Sequence, residues 1–143
     1  MSSDMCIVNY WYICDAFAEL ERAEAEQGHP LGIDPNDEQS VRRAIESYVC
    51  PWVRRLKPEC RALLMTTLAY FLKKPTFTGA EVFAQVPDLT MGRPDDERRI
   101  FEWMWKSLVP GIRYHDIDTS ACTEDNDMMK ADMLTEGMAE CAP

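Results

Sequence analysis

Apolar residues recur every three or four positions along most of this chain, in segments that stop at Gly or Pro. The first such segment covers about residues 4–26 and is followed by Gly28. Within it Tyr10, Ile13 and Phe17 fall on one stripe of a helix, whereas a half-buried strand would need strict alternation. The chain is therefore constrained to fold mainly as helices that bury their apolar stripes against one another.

The same period predicts the remaining helices. The segment Thr78-Gly79-Ala80-Glu81 has the capping-box pattern, in which the first hydroxyl and the last carboxylate satisfy a helix start. The later helices are predicted from Asp34 to Leu56 with a kink at Pro51, over 58–72 as an apolar central helix, over 78–86, over about 95–108, and from a cap at Thr123 to Gly137. A short extended piece is predicted at 112–117. We therefore expect an all-α fold, a single compact domain of five or six helices over residues 1–143.

The composition is that of a globular protein in water. The chain of 143 residues has the length of one domain, and 46% of its residues are hydrophobic against 28% charged. The apolar run 5–17 is too short to span a bilayer, and it lacks the basic start and the cleavage site of a secretory signal. None of the six cysteines forms a C-x-x-C pair. We therefore expect reduced cysteines in the core of a cytoplasmic protein, without a membrane partner.

Charge is segregated along the chain, whose formal net charge is −10. Residues 1–40 carry a net charge of −8 and residues 116–143 a net charge of −7, whereas residues 41–74 carry +6. Two interpretations stay open: the ends neutralise the middle within the fold, or one block stays exposed and binds a partner. Residues 118–143 form an acidic, Met-rich tail that we expect to be helical or partly disordered.

Residues suited to catalysis or metal binding are scarce. His29 lies in a Gly/Pro loop, and the pair His115-Asp116 lacks the further histidines that a metal phosphohydrolase needs. Residues 116–127 have acidic residues at the spacing of an EF-hand, but Ala121 replaces the turn glycine and Asp127 the bidentate glutamate. No G-x-S-x-G, H-E-x-x-H or phosphate-binding Gly-rich loop is present. We therefore expect no enzyme, no cofactor and no metal.

Part of the chain resembles a winged-helix or helix-turn-helix domain. In residues 60–117 a core helix, a short capped helix, a longer helix and a predicted strand follow in that order. The stretch ERRIFEWMWKSLVPG, residues 97–111, looks like the passage from a recognition helix to a wing. The resemblance implies a DNA-binding regulator that contacts nucleic acid through the longer helix and the residues just before it. The nucleic-acid contacts so implied are Arg93, Arg98, Arg99, Trp103 and Lys106.

The preferred hypothesis is a different one, because Asp95-Asp96-Glu97 opens the predicted recognition helix and would repel phosphates. A helical body with acidic ends and no catalytic set is similar in profile to small inhibitors encoded by phages and mobile elements, such as anti-CRISPR proteins and nucleic-acid mimics. The resemblance implies a non-enzymatic protein that binds and blocks or bridges a protein or nucleoprotein partner with a basic surface. The contact residues are predicted on the acidic side of the first helix: Asp15, Glu19, Glu21, Glu24 and Glu26.

Overall fold

The computed structural model of the chain describes residues 6–86 and 89–128. Most of the described residues are helical, and two three-residue strands form one small sheet. In chain order the elements are β1 (Cys6–Val8), α1 (Trp11–Gln27), α2 (Glu38–Ala44), a π-helical turn (Ile45–Val49), α3 (Cys50–Arg54), α4 (Pro58–Lys73), α5 (Ala80–Phe83), α6 (Glu97–Leu108), a 3-10 turn (Tyr114–Asp116) and β2 (Cys122–Glu124). The predicted fold class, a compact all-α domain of about five helices, is confirmed.

The first helix begins later than its apolar period predicts, at Trp11 rather than near residue 4. The residues before it form strand β1, since Ile7 and Val8 are β-branched and favour extended backbone. Asn9, only 1% exposed, separates the two elements. Its side-chain oxygen accepts a 2.9 Å hydrogen bond from the Trp11 N–H and so turns the chain into the helix.

The sheet joins the two ends of the described chain. Strand β2 pairs with β1 in parallel, and the register places Val8 opposite Glu124. The pairing continues past the strands, because the Asp125 N–H donates to the Val8 carbonyl at 2.9 Å. The predicted helix cap at Thr123 is therefore wrong: this residue lies inside β2. The part of that predicted helix after Met128, and most of the predicted tail, lies in 129–143, outside the described residues.

The predicted helix through Pro51 is continuous in the structure but starts at Glu38 and changes its hydrogen-bond register. Pro51 has no N–H, and its ring would clash with the carbonyl of Ser47 in a regular α-helix. The π-helical turn before it widens the backbone there, and the Cys50 N–H donates to the Ile45 carbonyl five residues back. The expected kink at Pro51 thus corresponds to a π-turn between α2 and α3.

Helix α4 lies at the centre of the fold, in contact with α1, α6 and β1. Its range matches the predicted central helix closely. Beside it five phenylalanine rings pack with centroids 5.1 to 5.6 Å apart, in tilted and edge-on geometries. These rings are Phe17, Phe71, Phe77, Phe83 and Phe101.

The start of α5 differs from the predicted capping box. Gly79 rather than Thr78 is the N-cap residue, with a left-handed φ of 94°. A side chain at this glycine would collide with the ring of Phe101, so the position tolerates only glycine. The Thr78 hydroxyl accepts from the Ala80 N–H at 3.3 Å, and Glu81 is exposed. The close approach of the backbone to the aromatic cluster therefore decides how this helix begins.

The segment after α6 does not form the wing that the resemblance to winged-helix domains implies. Residues 114–116 form a 3-10 turn where an extended piece was predicted at 112–117. Trp105 explains the turn in part, because its indole N–H donates to the Ile112 carbonyl at 2.7 Å. Within 6–86 and 89–128 the strand that follows α6 is β2, and it pairs with the N-terminal strand instead of forming a wing hairpin.

Candidate functional site

The predicted acidic face of α1 is not a continuous exposed surface. Glu26 is exposed and Asp15 and Glu21 are half-buried, but Glu19 and Glu24 are each only 8% exposed. The expectation that the five carboxylates face water together is therefore wrong for two of them. The surroundings of the two buried carboxylates differ.

Glu24 ties two loops to α1. Its carboxylate accepts hydrogen bonds of 3.1 Å from the N–H groups of Leu31 and Thr90, and it also accepts from the Thr90 hydroxyl. Burial alone would raise the pKa of Glu24, but these three hydrogen bonds outweigh it and hold the pKa below its ordinary value. Glu24 is therefore a structural anion, which fixes the segment between α1 and α2 and the segment between α5 and α6.

Glu19 lies in a poorer environment. Its carboxylate is 3.4 Å from the guanidinium of Arg22, whose side chain is mostly exposed, and Arg55 acts on it from a greater distance. Burial raises the pKa of Glu19, and the attraction of the two arginines only partly opposes that rise. Burial of this ionised carboxylate therefore lowers the stability of the fold, and the group presents little charge to a partner.

Arg98, predicted to contact nucleic acid, instead caps the end of α4. Its guanidinium donates to the carbonyls of Phe77 at 2.9 Å and Lys74 at 3.2 Å, and also to the carbonyl of Leu72. These acceptors lie at and just after the last turn of α4, where carbonyls lack partners in their own helix. The side chain is thus engaged by backbone groups and points into the fold.

The other predicted nucleic-acid contacts, in α6 and just before it, also contact the protein itself. Trp103 is 9% exposed and packs in the core. The three remaining bases are exposed, but each forms an ion pair with a carboxylate. The pairs are Arg93 with Glu97, Arg99 with Asp96 at 3.8 Å and Lys106 with Glu38 at 3.5 Å.

An exposed acidic surface forms elsewhere, where α2 and α6 begin side by side. We call the exposed residues Asp34, Asp37, Asp95 and Asp96 the acidic patch. The Asp95 N–H donates to the side-chain oxygen of Asn36 at 2.9 Å and thereby holds the two loops together. The two segments are about sixty positions apart in the sequence, so their meeting follows from helix packing alone.

Part of the acidic patch has a structural role. Asp37 is the N-cap of α2 and accepts from the Ser40 N–H at 3.3 Å, and Asp96 caps α6 by accepting from the Arg98 N–H at 3.1 Å. Asp34 accepts from the Asn36 N–H at 3.0 Å within its own turn. Asp95 contributes its backbone N–H to the contact between the loops, which leaves its carboxylate on the exposed surface. The sequence carried a signal for this patch, because both segments combine Asp with Pro before a helix.

The basic block, residues 41–74, is neutralised by carboxylates at its two ends, whereas basic side chains in its middle are exposed. Arg42 pairs with Glu38 and Glu46 at 3.4 and 3.5 Å. Lys74 pairs with Glu124 at 2.6 Å, which joins the basic block to the acidic C-terminal block. Neutralisation within the fold therefore applies to the ends of this segment, whereas part of its middle stays exposed.

The exposed part of the basic block is the turn between α3 and α4. Arg54, Arg55 and Lys57, which we call the basic turn, are exposed, and none of them is within ion-pair distance of another described residue. Arg61 steadies the turn, since its guanidinium donates to the Arg54 carbonyl at 3.1 Å. The buried Leu56 anchors the turn to the core.

An aromatic cleft of about 340 Å³ lies between α6 and the 3-10 turn. Trp105, Tyr114 and His115 line it, and Ile112 at its edge is 50% exposed. The ring of His115 stacks on Tyr114 with centroids 4.2 Å apart, and no described carboxylate lies within ion-pair distance of it. The local pair with Asp116 that the sequence suggested therefore does not form an ion pair.

Among the residues that the structure describes, no group of three or more His, Cys, Asp or Glu side chains is placed to hold a metal ion. Residues at the EF-hand spacing have other contacts. Glu124 lies in β2 and pairs with Lys74, and the Asp118 carboxylate accepts from the Ser120 hydroxyl at 2.7 Å.

No described helix combines the length and the apolar character needed to cross a bilayer. Comparison with protein-family models, with curated proteins and with solved structures finds no match to this chain.

Proposed function

We propose that this protein is a non-enzymatic binding protein that blocks or bridges a macromolecular partner with a basic surface, in the manner of small phage or mobile-element inhibitors such as anti-CRISPR proteins. One observation carries the proposal. The acidic patch assembles four exposed aspartates from two distant segments and fixes them through the hydrogen bond from Asp95 to Asn36. The proposal moves the contact surface from α1 to the starts of α2 and α6.

The acidic patch suits a basic partner for two physical reasons. Its loops are already ordered by turn and cap hydrogen bonds, so little conformational entropy is lost when a partner binds. Its carboxylates are spread over two adjacent helix starts and so present several negative charges to one face of a partner. Arginine and lysine side chains that normally contact phosphates meet similar acceptors there, and opposite charge accelerates the encounter.

The test compares two charge reversals on different acidic surfaces. Asp95→Lys changes the acidic patch without removing a helix cap, and Glu26→Lys makes the same change at the exposed end of the predicted α1 face. The probe is a fluorescein-labelled decalysine peptide, and its binding is followed by fluorescence anisotropy at low and moderate salt. We expect Asp95→Lys to weaken binding about tenfold at low salt, and Glu26→Lys to change it about twofold or less.

The control also defines the result that contradicts the proposal. If both variants weaken binding equally, the peptide senses only the net charge and the acidic patch has no special role. If Glu26→Lys has the larger effect, the contact surface lies on α1 as the sequence suggested. Circular dichroism of each variant verifies that the fold is retained.

A second candidate function, direct nucleic-acid binding by a winged-helix-like regulator, is favoured by one observation, the basic turn. This surface differs from the predicted one in and just before α6, whose bases form ion pairs or, in the case of Arg98, donate to backbone carbonyls. A gel shift with duplex DNA at low salt separates the two candidates. Retardation that is lost in Arg54→Glu/Arg55→Glu but kept in Arg93→Glu/Arg99→Glu supports DNA binding through the basic turn, whereas no retardation of the unmodified protein contradicts it.

A further inference from the structure

Two cysteines from opposite ends of the described chain face each other in the small sheet. Cys6 of β1 and Cys122 of β2 are direct partners in the parallel register. Both are half-buried, and Cys6 is among the groups that raise the pKa of Cys122. Adjacent strands lie about 4.8 Å apart, which falls inside the range of Cα separations that a disulfide accepts.

We infer that Cys6 and Cys122 form a redox modification site, at which a disulfide bond covalently links strands β1 and β2. This inference is independent of the proposed binding function. It rests on the strand register and on the partial exposure of both residues. The other described cysteines lie in helices and not in the sheet.

The oxidant is a low-molecular-weight disulfide, and the reaction is thiol–disulfide exchange. The sulfur of Cys6 attacks one sulfur of the small disulfide, which breaks its S–S bond and releases one small thiolate. The sulfur of Cys122 then attacks the Cys6 sulfur of the mixed disulfide and releases the second small thiolate. Two protein thiols are oxidised, one small disulfide is reduced to two thiols, and these take up the two protons.

The order of attack follows from the surroundings of Cys122. Burial, followed by the hydrogen bond with Cys6, raises the pKa of Cys122 to about 12, so this thiol stays protonated at first. Once Cys6 carries the small thiol, its sulfur is an electrophile that lies opposite Cys122 in the strand register. Cys122 then becomes the resolving thiol.

The modification has a structural consequence because the sheet is short. Two hydrogen bonds of 2.9 Å extend the pairing beyond the two strands. The Asp125 N–H donates to the Val8 carbonyl, and the Asn9 side-chain amide donates to the Asp127 carbonyl. A covalent bond at Cys6 restrains all of these contacts. Oxidation therefore stabilises the junction of the two chain ends against local opening.

The experiment uses the full chain, reduced and then incubated with oxidised glutathione. Free thiols are blocked with an alkylating reagent, and non-reduced peptides are mapped by mass spectrometry. We expect a peptide pair joined through Cys6 and Cys122, and a mass lower by about 2 Da than that of the reduced chain before alkylation. A second readout is hydrogen exchange, in which the Asp125 amide is expected to exchange several-fold more slowly after oxidation.

Matched variants locate the bond. Cys6→Ser and Cys122→Ser are each expected to abolish the linked peptide, and Cys60→Ser, at another half-buried cysteine, is expected to retain it. The inference is overturned if the unmodified chain yields only glutathione adducts, or if Cys6 is found linked to another cysteine. Because the unmodified chain alone can give that result, the test holds even if a variant fails to fold.

Discussion

Glu19 and Glu24 lie on the same helix and are equally buried, at 8% exposure each, yet the fold treats them in opposite ways. Glu24 receives three hydrogen bonds, two of them from backbone N–H groups of loops, and its pKa is lowered. Glu19 meets one mostly exposed arginine at 3.4 Å, and burial raises its pKa. The difference shows that burial alone does not decide whether a charge stabilises this protein. The decisive factor is whether fixed backbone dipoles meet the charge.

Arg98 extends this comparison to a positive charge. It satisfies three backbone carbonyls near the end of α4, as Glu24 satisfies backbone N–H groups of two loops. Both residues were predicted to bind partners, and both instead hold the loops that build the acidic patch and the aromatic cluster. Substitutions at these three positions test the comparison.

The largest effect is expected for Arg98→Met, which keeps an unbranched apolar stem and removes the guanidinium donors. The carbonyls of Leu72, Lys74 and Phe77 lose their partner, so the free energy of unfolding should fall by about 3 kcal/mol. Urea denaturation measures the free energy of unfolding of each variant. The neighbouring Arg99→Met is the control, because Arg99 is exposed and its pairing with Asp96 should contribute less than about 0.5 kcal/mol. Equal losses in both variants would contradict the capping role.

A smaller loss is expected for Glu24→Gln, about 2 kcal/mol at pH 7, because one oxygen becomes a donor that faces other donors. The pH dependence has a definite sign. The pKa of Glu24 is lowered in the fold, so its stabilisation is complete above the ordinary pKa of 4.5 and is lost as the pH falls below it. Denaturation at several pH values should therefore show the two proteins converging in acid; a constant difference would refute the assignment.

The smallest effect, and one of opposite sign, is expected for Glu19→Gln. Because burial raises the pKa of Glu19, its ionised form costs stability at neutral pH, and the neutral amide should increase the free energy of unfolding by about 0.5 kcal/mol. The gain should disappear as the pH falls and the native carboxyl becomes protonated. Glu26→Gln, at an exposed position of the same helix, serves as the control. A loss of stability in Glu19→Gln would place Glu19 in the same class as Glu24.

The helices were predictable from the sequence because their apolar period is local information. The period correctly indicated the range of α4 and the continuity of the helix through Pro51. It was misleading at Cys6–Val8, where a strand has the same apolar residues and gains its hydrogen bonds from β2. The partner of that strand lies at the other end of the described chain, and no local pattern contains that information.

The candidate sites were less predictable than the fold. Helical periodicity placed Glu24 on α1 and Arg98 on α6 correctly, but their partners are backbone groups outside these helices, at Leu31, Thr90 and Phe77. The acidic patch likewise depends on the packing of α2 against α6. The segregation of charge along the chain was informative at one place, because the basic turn stays exposed within a block of positive charge.

The parallel pairing of β1 with β2 also bears on how this chain is made. The residues of β1 are synthesised roughly 115 positions before their partners in β2. At typical rates of translation the first strand therefore waits on the order of ten seconds while the helices between them emerge. Its edge stays open during that time, and Ile7 and Val8 are free to meet other nascent segments. We therefore expect the sheet to close after the local helical contacts have formed.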